Sequence, residues 1–139
     1  MAKASSEYSP MSERRVGLWL IGAFGGVGTT VAMGMAALRR RLIDNTSLVT
    51  TLPLFDGMDL DLPEQFVLGG HDVRRTGYRQ AVQELHERSN LFDRSLTDSC
   101  MPDLDLWSQN VRPGTVLNAG QTIAKLAMKG MMVTVPIMA

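Results

Sequence analysis

Two short segments carry the residue types that could hold a phosphorylated ligand. The first is Gly22-Ala-Phe24-Gly25-Gly26-Val27-Gly28-Thr-Thr30, with four glycines in seven positions. Glycines let a backbone approach a pyrophosphate closely, because no Cβ stands in the way. Where such a turn opens a helix, the first amides lack partners and the helix dipole favours negative charge. The segment therefore reads as a phosphate-binding corner, with Gly22, Phe24, Gly25, Gly26, Val27 and Gly28 as candidate contacts. The strict dinucleotide fingerprint would place a glycine where Phe24 stands. A purely structural glycine turn is the other reading of the same residues.

The second segment is Phe66-Val-Leu-Gly69-Gly70-His71-Asp72-Val73, an apolar run that ends in glycines and an acid. In open α/β sheets, ligands sit beyond the carboxyl ends of strands. Asp72 there is either a ribose partner or a turn or cap residue for the next helix. His71 reads as a structural hydrogen-bonding group. Asp56 lies in an acidic stretch, Asp56 to Glu64, that reads as an exposed loop, and it is not assigned to a ribose. Phe24-Gly-Gly-Val-Gly-Thr-Thr30 also looks like the loop of a partition-type P-loop ATPase. That loop needs lysines for its triphosphate, and Phe24 and Thr29 occupy both lysine places.

The elements that must position these groups follow from periodicity. Val16–Ile21 is nearly continuous apolar, as in a parallel strand buried on both faces, with Trp19 in the core. The next helix is expected from about Gly28 to Leu42, with Val31, Met35, Leu38 and Leu42 as its apolar stripe. Arg39, Arg40 and Arg41 would complement its C-terminal dipole, and Gly34 would allow close packing on the sheet. After a turn at Asp44–Ser47, a strand is expected to end near Leu52, before Pro53. A short strand at Gln65–Leu68 leads to the glycines. An amphipathic helix from Thr76 to about Arg88 carries Tyr78, Ala81, Val82 and Leu85, with His86 solvated. Thr97–Asn110 reads as helix or turns anchored by Leu104, Leu106 and Trp107, and Arg112-Pro113-Gly114 should break it. Ala119–Lys129 reads as a helix stopped by Gly130, and Met131–Ile137 as a strand.

The fold class expected is α/β: a Rossmann-like, mostly parallel sheet with flanking helices, over residues 16–139 after a flexible tail at 1–15. The 139 residues suit one domain, and their zero net charge suggests neither nucleic acid nor an anionic membrane as a partner. A single cysteine, Cys100, excludes an internal disulfide and a cysteine-based metal cluster, and reads as a small, partly buried side chain. No apolar run reaches a membrane span, and no secretory signal opens the chain, so a cytoplasmic protein is expected.

Taken together, the two segments resemble the N-terminal part of the inositol-3-phosphate synthase (myo-inositol-1-phosphate synthase) family, in its bacterial-type branch. There a strand runs into Gly-x-Gly-Gly-Asn-Asn-Gly-Ser/Thr-Thr, and a later strand ends Gly-Trp-Asp-Ile before a helix. The counterparts here are Gly22–Thr30 and Gly70-His71-Asp72-Val73, and Val111-Arg-Pro-Gly-Thr-Val116 resembles a basic-proline segment near the cofactor. The resemblance spans about Val16 to Leu126. It implies a Rossmann domain that binds NAD. Gly22, Gly25, Gly26 and Val27 would lie in the pyrophosphate loop, Asp72 would hold the ribose, and Thr115 falls near a serine that contacts the cofactor. This chain departs from the pattern at Phe24, at Gly26-Val27 and at His71.

The implied family reaction isomerises D-glucose 6-phosphate to a myo-inositol phosphate, with bound NAD taking up and returning a hydride. Its catalytic lysines belong to a later domain, and Lys125 and Lys129 do not match them. An incomplete domain is therefore expected, truncated or frame-shifted near its methionine-rich end, non-catalytic alone and prone to homo-oligomerise.

Overall fold

The computed structural model describes residues 14–46, 48–115 and 121–122. Most of the expected tail at 1–15, most of the expected helix at 119–129 and the expected strand at 131–137 lie outside the described residues. The elements are β1 (Val16–Ile21), α1 (Gly26–Arg39), β2 (Phe66–Asp72), α2 (Tyr78–Ser89), α3 (Arg94–Ser108) and β3 (Val111–Pro113). The strands form one parallel sheet in the order β1-β2-β3. This is a small α/β, Rossmann-like arrangement.

Strands laid down in sequence order by right-handed crossovers put every connecting helix on the same face. The helices here do touch one another, α1 on α2 and α3, and α2 on α3. Their shared core joins Ala32, Met33 and Ala36 of α1 to Tyr78 and Val82 of α2, to Cys100, Leu104 and Trp107 of α3, and to Leu68 of β2. Leu18 and Leu20 of β1 face this core, and Leu18 lies beside Leu68 in the register.

The opposite face of the sheet carries no described helix, and this overturns the reading of β1 as buried on both sides. Burial alternates along it: Gly17, Trp19 and Ile21 are exposed, Ile21 by 81%. Trp19, expected in the core, is 55% exposed. It lies across Gly69 of β2, where a Cβ would come within 2.9 Å of the indole. The glycine pair is thus strand interior and not a strand end, and β2 continues to Asp72.

The helices differ from expectation in detail. α1 begins two residues earlier and ends at Arg39, and its buried face is Ala32, Met33, Ala36 and Ala37. Val31, Met35 and Leu38 are only half-buried, and Leu42 lies beyond the helix, exposed. Small alanines win the inner face because α1 packs closely. Gly34 meets nothing within 4 Å of an added Cβ, so it is not a close-packing residue. The strand expected before Pro53 is absent, and 3-10 turns at Val49–Thr51 and Pro53–Phe55 replace it. Its apolar side chains find no sheet edge: Val49, Leu52 and Leu54 are all exposed.

α3 is one continuous helix. Asp93 caps it by accepting the Ser95 and Leu96 amides, and Leu106, expected as an anchor, points to solvent. The segment expected to break it forms β3. Cys100 is fully buried, and burial pushes its thiol up from the ordinary value. His86, expected in solvent, is part-buried with Nδ1 3.2 Å from the Phe92 carbonyl.

Candidate functional site

The carboxyl ends of the three parallel strands converge on one cleft. Its volume is about 470 Å³, lined by Ile21 and Gly22 after β1, His71, Asp72 and Val73 from β2, and Pro113, Gly114 and Thr115 after β3. Of the expected site residues, Gly22, Asp72 and Thr115 therefore share one cavity.

The glycine segment makes the turn expected of it. Gly22 has φ +80°, which a side chain would strain. Its amide and that of Ala23 both donate to the His71 carbonyl, at 2.8 and 3.2 Å, so the turn is hooked to the end of β2. A Cβ on Gly28 would lie 2.5 Å from the Ala23 oxygen and 2.7 Å from the Gly22 oxygen. Gly28 is thus the place where α1 presses on the turn before it, and only glycine fits.

Helix α1 opens without a cap. Gly25 has no side chain to offer, and the first turn holds no acid. The first bond to an acceptor at the helix start is from the Thr29 amide to the Gly25 carbonyl. Helix geometry therefore leaves the amides of Gly26, Val27 and Gly28 open. Gly26 and Val27 are exposed, Val27 by 81%, so an anion can reach this end.

Phe24 does a different job from its glycine neighbours. Its side chain is 4% exposed and packs edge-on against Tyr78, with centroids 5.1 Å apart. Its amide donates to Asp72 Oδ2 at 2.7 Å, and its carbonyl accepts from Arg74 at 3.0 Å. Arg74 also pairs with Glu84 of α2 at 2.5 Å, and that bond holds the Glu84 carboxyl below its usual range. Phe24 is thus gripped through both its amide and its carbonyl, by the last residue of β2 and by Arg74 just after it. The sequence carries no sign of this: an aromatic in a glycine turn reads as a departure, whereas here it anchors the turn in the core.

Asp72 is 5% exposed. Its Oδ1 accepts the Arg74 amide at 2.7 Å, so both oxygens hold backbone donors. Each oxygen keeps a second lone pair, but little of the carboxylate faces the cleft. Beside it, the Tyr78 hydroxyl is buried without a partner among the described residues, as is that of Thr29. Burial first, and then the charge of Asp72, push the Tyr78 phenol up to about 12.

His71 lies on the uncovered face. Its Nδ1 accepts from Trp19 Nε1 at 3.2 Å, and the two rings meet edge-on. Among the described residues no group of three or more His, Cys, Asp or Glu could hold a metal ion. Phe24 and Thr29, in the lysine places of a P-loop, are both buried, so this turn brings no cation of its own to a triphosphate. No described helix is long and apolar enough to cross a membrane. Comparison with known proteins found no family model and no curated protein that matches the chain.

Proposed function

We propose that the chain is a dinucleotide-binding α/β unit, and that its ligand is a nicotinamide dinucleotide of the NAD type. The observation that carries this reading is the uncapped start of α1, opening from a latched glycine turn at the carboxyl end of a parallel sheet. Three open amides there suit a pyrophosphate. The adjoining cleft, with its apolar Ile21, Val73 and Pro113, suits a sugar or a ring.

The reaction proposed with this cofactor is the isomerisation of D-glucose 6-phosphate to a myo-inositol phosphate, as the cofactor half of an inositol-3-phosphate synthase. Its support is that the two family-like segments meet in space, through the bond from Phe24 to Asp72. No catalytic residue is assigned within the described chain, so turnover is expected only together with a catalytic domain. Release of inositol phosphate by the chain alone would refute that part of the reading.

Val27→Glu tests the binding site without disturbing the fold. A carboxylate in the first turn of a helix stabilises it by about 0.3–1 kcal/mol. The same carboxylate would repel a pyrophosphate. The expected result is an unchanged or higher Tm with loss of NAD binding in calorimetric titration. Retained NAD affinity, or tighter magnesium-dependent ATP binding by the parent chain, would overturn the proposal.

A further inference from the structure

His71, next to last in β2, lines the cleft and makes two different connections. Its backbone carbonyl accepts the Gly22 and Ala23 amides and so holds the glycine turn. Its side chain lies on the face that no described helix covers, where Nδ1 meets Trp19 Nε1 at 3.2 Å. An indole nitrogen can only donate, so Nδ1 accepts and the ring carries its proton on Nε2. That second N–H has no partner among the described residues. The register gives its direction. Trp19 stands beside Gly69, whereas Ile21 stands beside His71, so Trp19 is one same-face step back towards the amino ends of the strands. Nδ1 is turned back towards that indole. The two nitrogens of an imidazole point in nearly opposite directions, so Nε2 is directed to the carboxyl ends, where the cleft lies.

The place of this donor in the fold gives its meaning. β2 is the strand next to β1, reached from α1, and its carboxyl end is where the adenosine ribose of a dinucleotide lies in this kind of sheet. An acid there commonly accepts from the ribose. The acid at this strand end, Asp72, is buried with both oxygens on backbone amides. His71, one residue earlier, points to the other face and keeps a free N–H. A hydroxyl oxygen accepts as well as donates, so an N–H can hold a ribose in place of a carboxylate. The donor also stands in a fixed relation to the open amides of α1, because the His71 carbonyl holds the turn that leads to them.

We infer that His71 is the ribose contact of this site, donating from Nε2 to a hydroxyl oxygen of the adenosine ribose, while Asp72 serves the turn. The inference rests on the dinucleotide reading above and names a residue that determines its specificity. The experiment is calorimetric titration of the full chain with NAD and with its 2′,3′-dideoxyadenosine analogue, repeated on His71→Asn and His71→Gln. Asparagine keeps an acceptor near the Nδ1 position, for Trp19, and offers nothing at Nε2. Glutamine reaches the Nε2 position with an N–H. One hydrogen bond between uncharged groups changes affinity by about two- to tenfold. The parent chain should therefore bind NAD more tightly than the analogue by about that factor. His71→Asn should lose the same factor for NAD and nothing for the analogue, and His71→Gln should keep NAD affinity close to the parent's. An analogue that binds the parent as tightly as NAD overturns the inference and leaves the dinucleotide reading standing. So does NAD affinity that survives in His71→Asn, or an equal loss for both ligands in that variant. Equal losses in His71→Asn and His71→Gln would make the ring a packing group and overturn it too. Binding of neither ligand by the parent chain overturns both readings.

Discussion

At the scale of single residues, the turn depends on Asp72 as well as on its glycines. Among the described residues Asp72 supplies the only side-chain acceptor of the Phe24 amide, and it is buried. Asp72→Ala would leave the buried Phe24 amide without its acceptor, at about 1–3 kcal/mol, and release the part-buried Arg74 amide as well. A drop in the denaturation midpoint of the ligand-free protein is the expected result, together with weaker dinucleotide binding. An unchanged midpoint with weaker binding would instead make Asp72 a ligand contact first. Tyr78 behaves in the opposite sense. Its hydroxyl is buried with no partner among the described residues, so Tyr78→Phe should raise stability by about 1 kcal/mol. The pH dependence has a definite sign. With the folded pKa near 12 and the unfolded one near 10, the unfolded state loses its proton first. Stability therefore falls as pH rises from about 10 towards 12, and a urea midpoint series over that range should flatten in Tyr78→Phe. Asp72 was legible in the sequence as a strand-end acid with two possible roles. The aromatic behind it was not, because nothing in a glycine turn announces that its one large side chain faces inward.

At the scale of elements, the glycine turn and α2 were readable, and the inner face of α1 was not. The stripe Val31, Met35, Leu38 is the more hydrophobic one, yet the helix buries Ala32, Met33, Ala36 and Ala37. Close approach to α3 selects for small side chains, and a hydrophobicity count favours large ones. Two glycines of this helix make the point testable. Gly28→Ala would put a methyl against the Ala23 and Gly22 carbonyls and should unfold the turn. Gly34→Ala enters open space and should stabilise the protein by about 0.5–1 kcal/mol, through helix propensity alone. Thermal melts of the two variants should move in opposite directions. The strand expected at Ser47–Leu52 failed for a related reason: a local apolar run becomes a strand only if a sheet edge receives it. Here β2 takes the place beside β1 instead.

At the scale of the whole molecule, the described helices cover one side of the sheet and none of them covers the other. The parallel order β1-β2-β3 was foreseeable as fold class, but not the sidedness, which comes from strand order. One outcome of that sidedness is optical. The chain has two tryptophans: Trp107, sealed in the core, and Trp19, on the uncovered face. Trp107 should emit to the blue and resist aqueous quenchers, whereas Trp19 should emit to the red and be quenched readily. Trp19 donates its indole N–H to His71, and His71 lines the cleft. Filling the cleft should change the red component and leave the blue one untouched. Trp19→Phe should abolish that change while leaving affinity intact. The uncovered face thus gives the protein a native fluorescent gauge of its own occupancy, one hydrogen bond removed from the ligand.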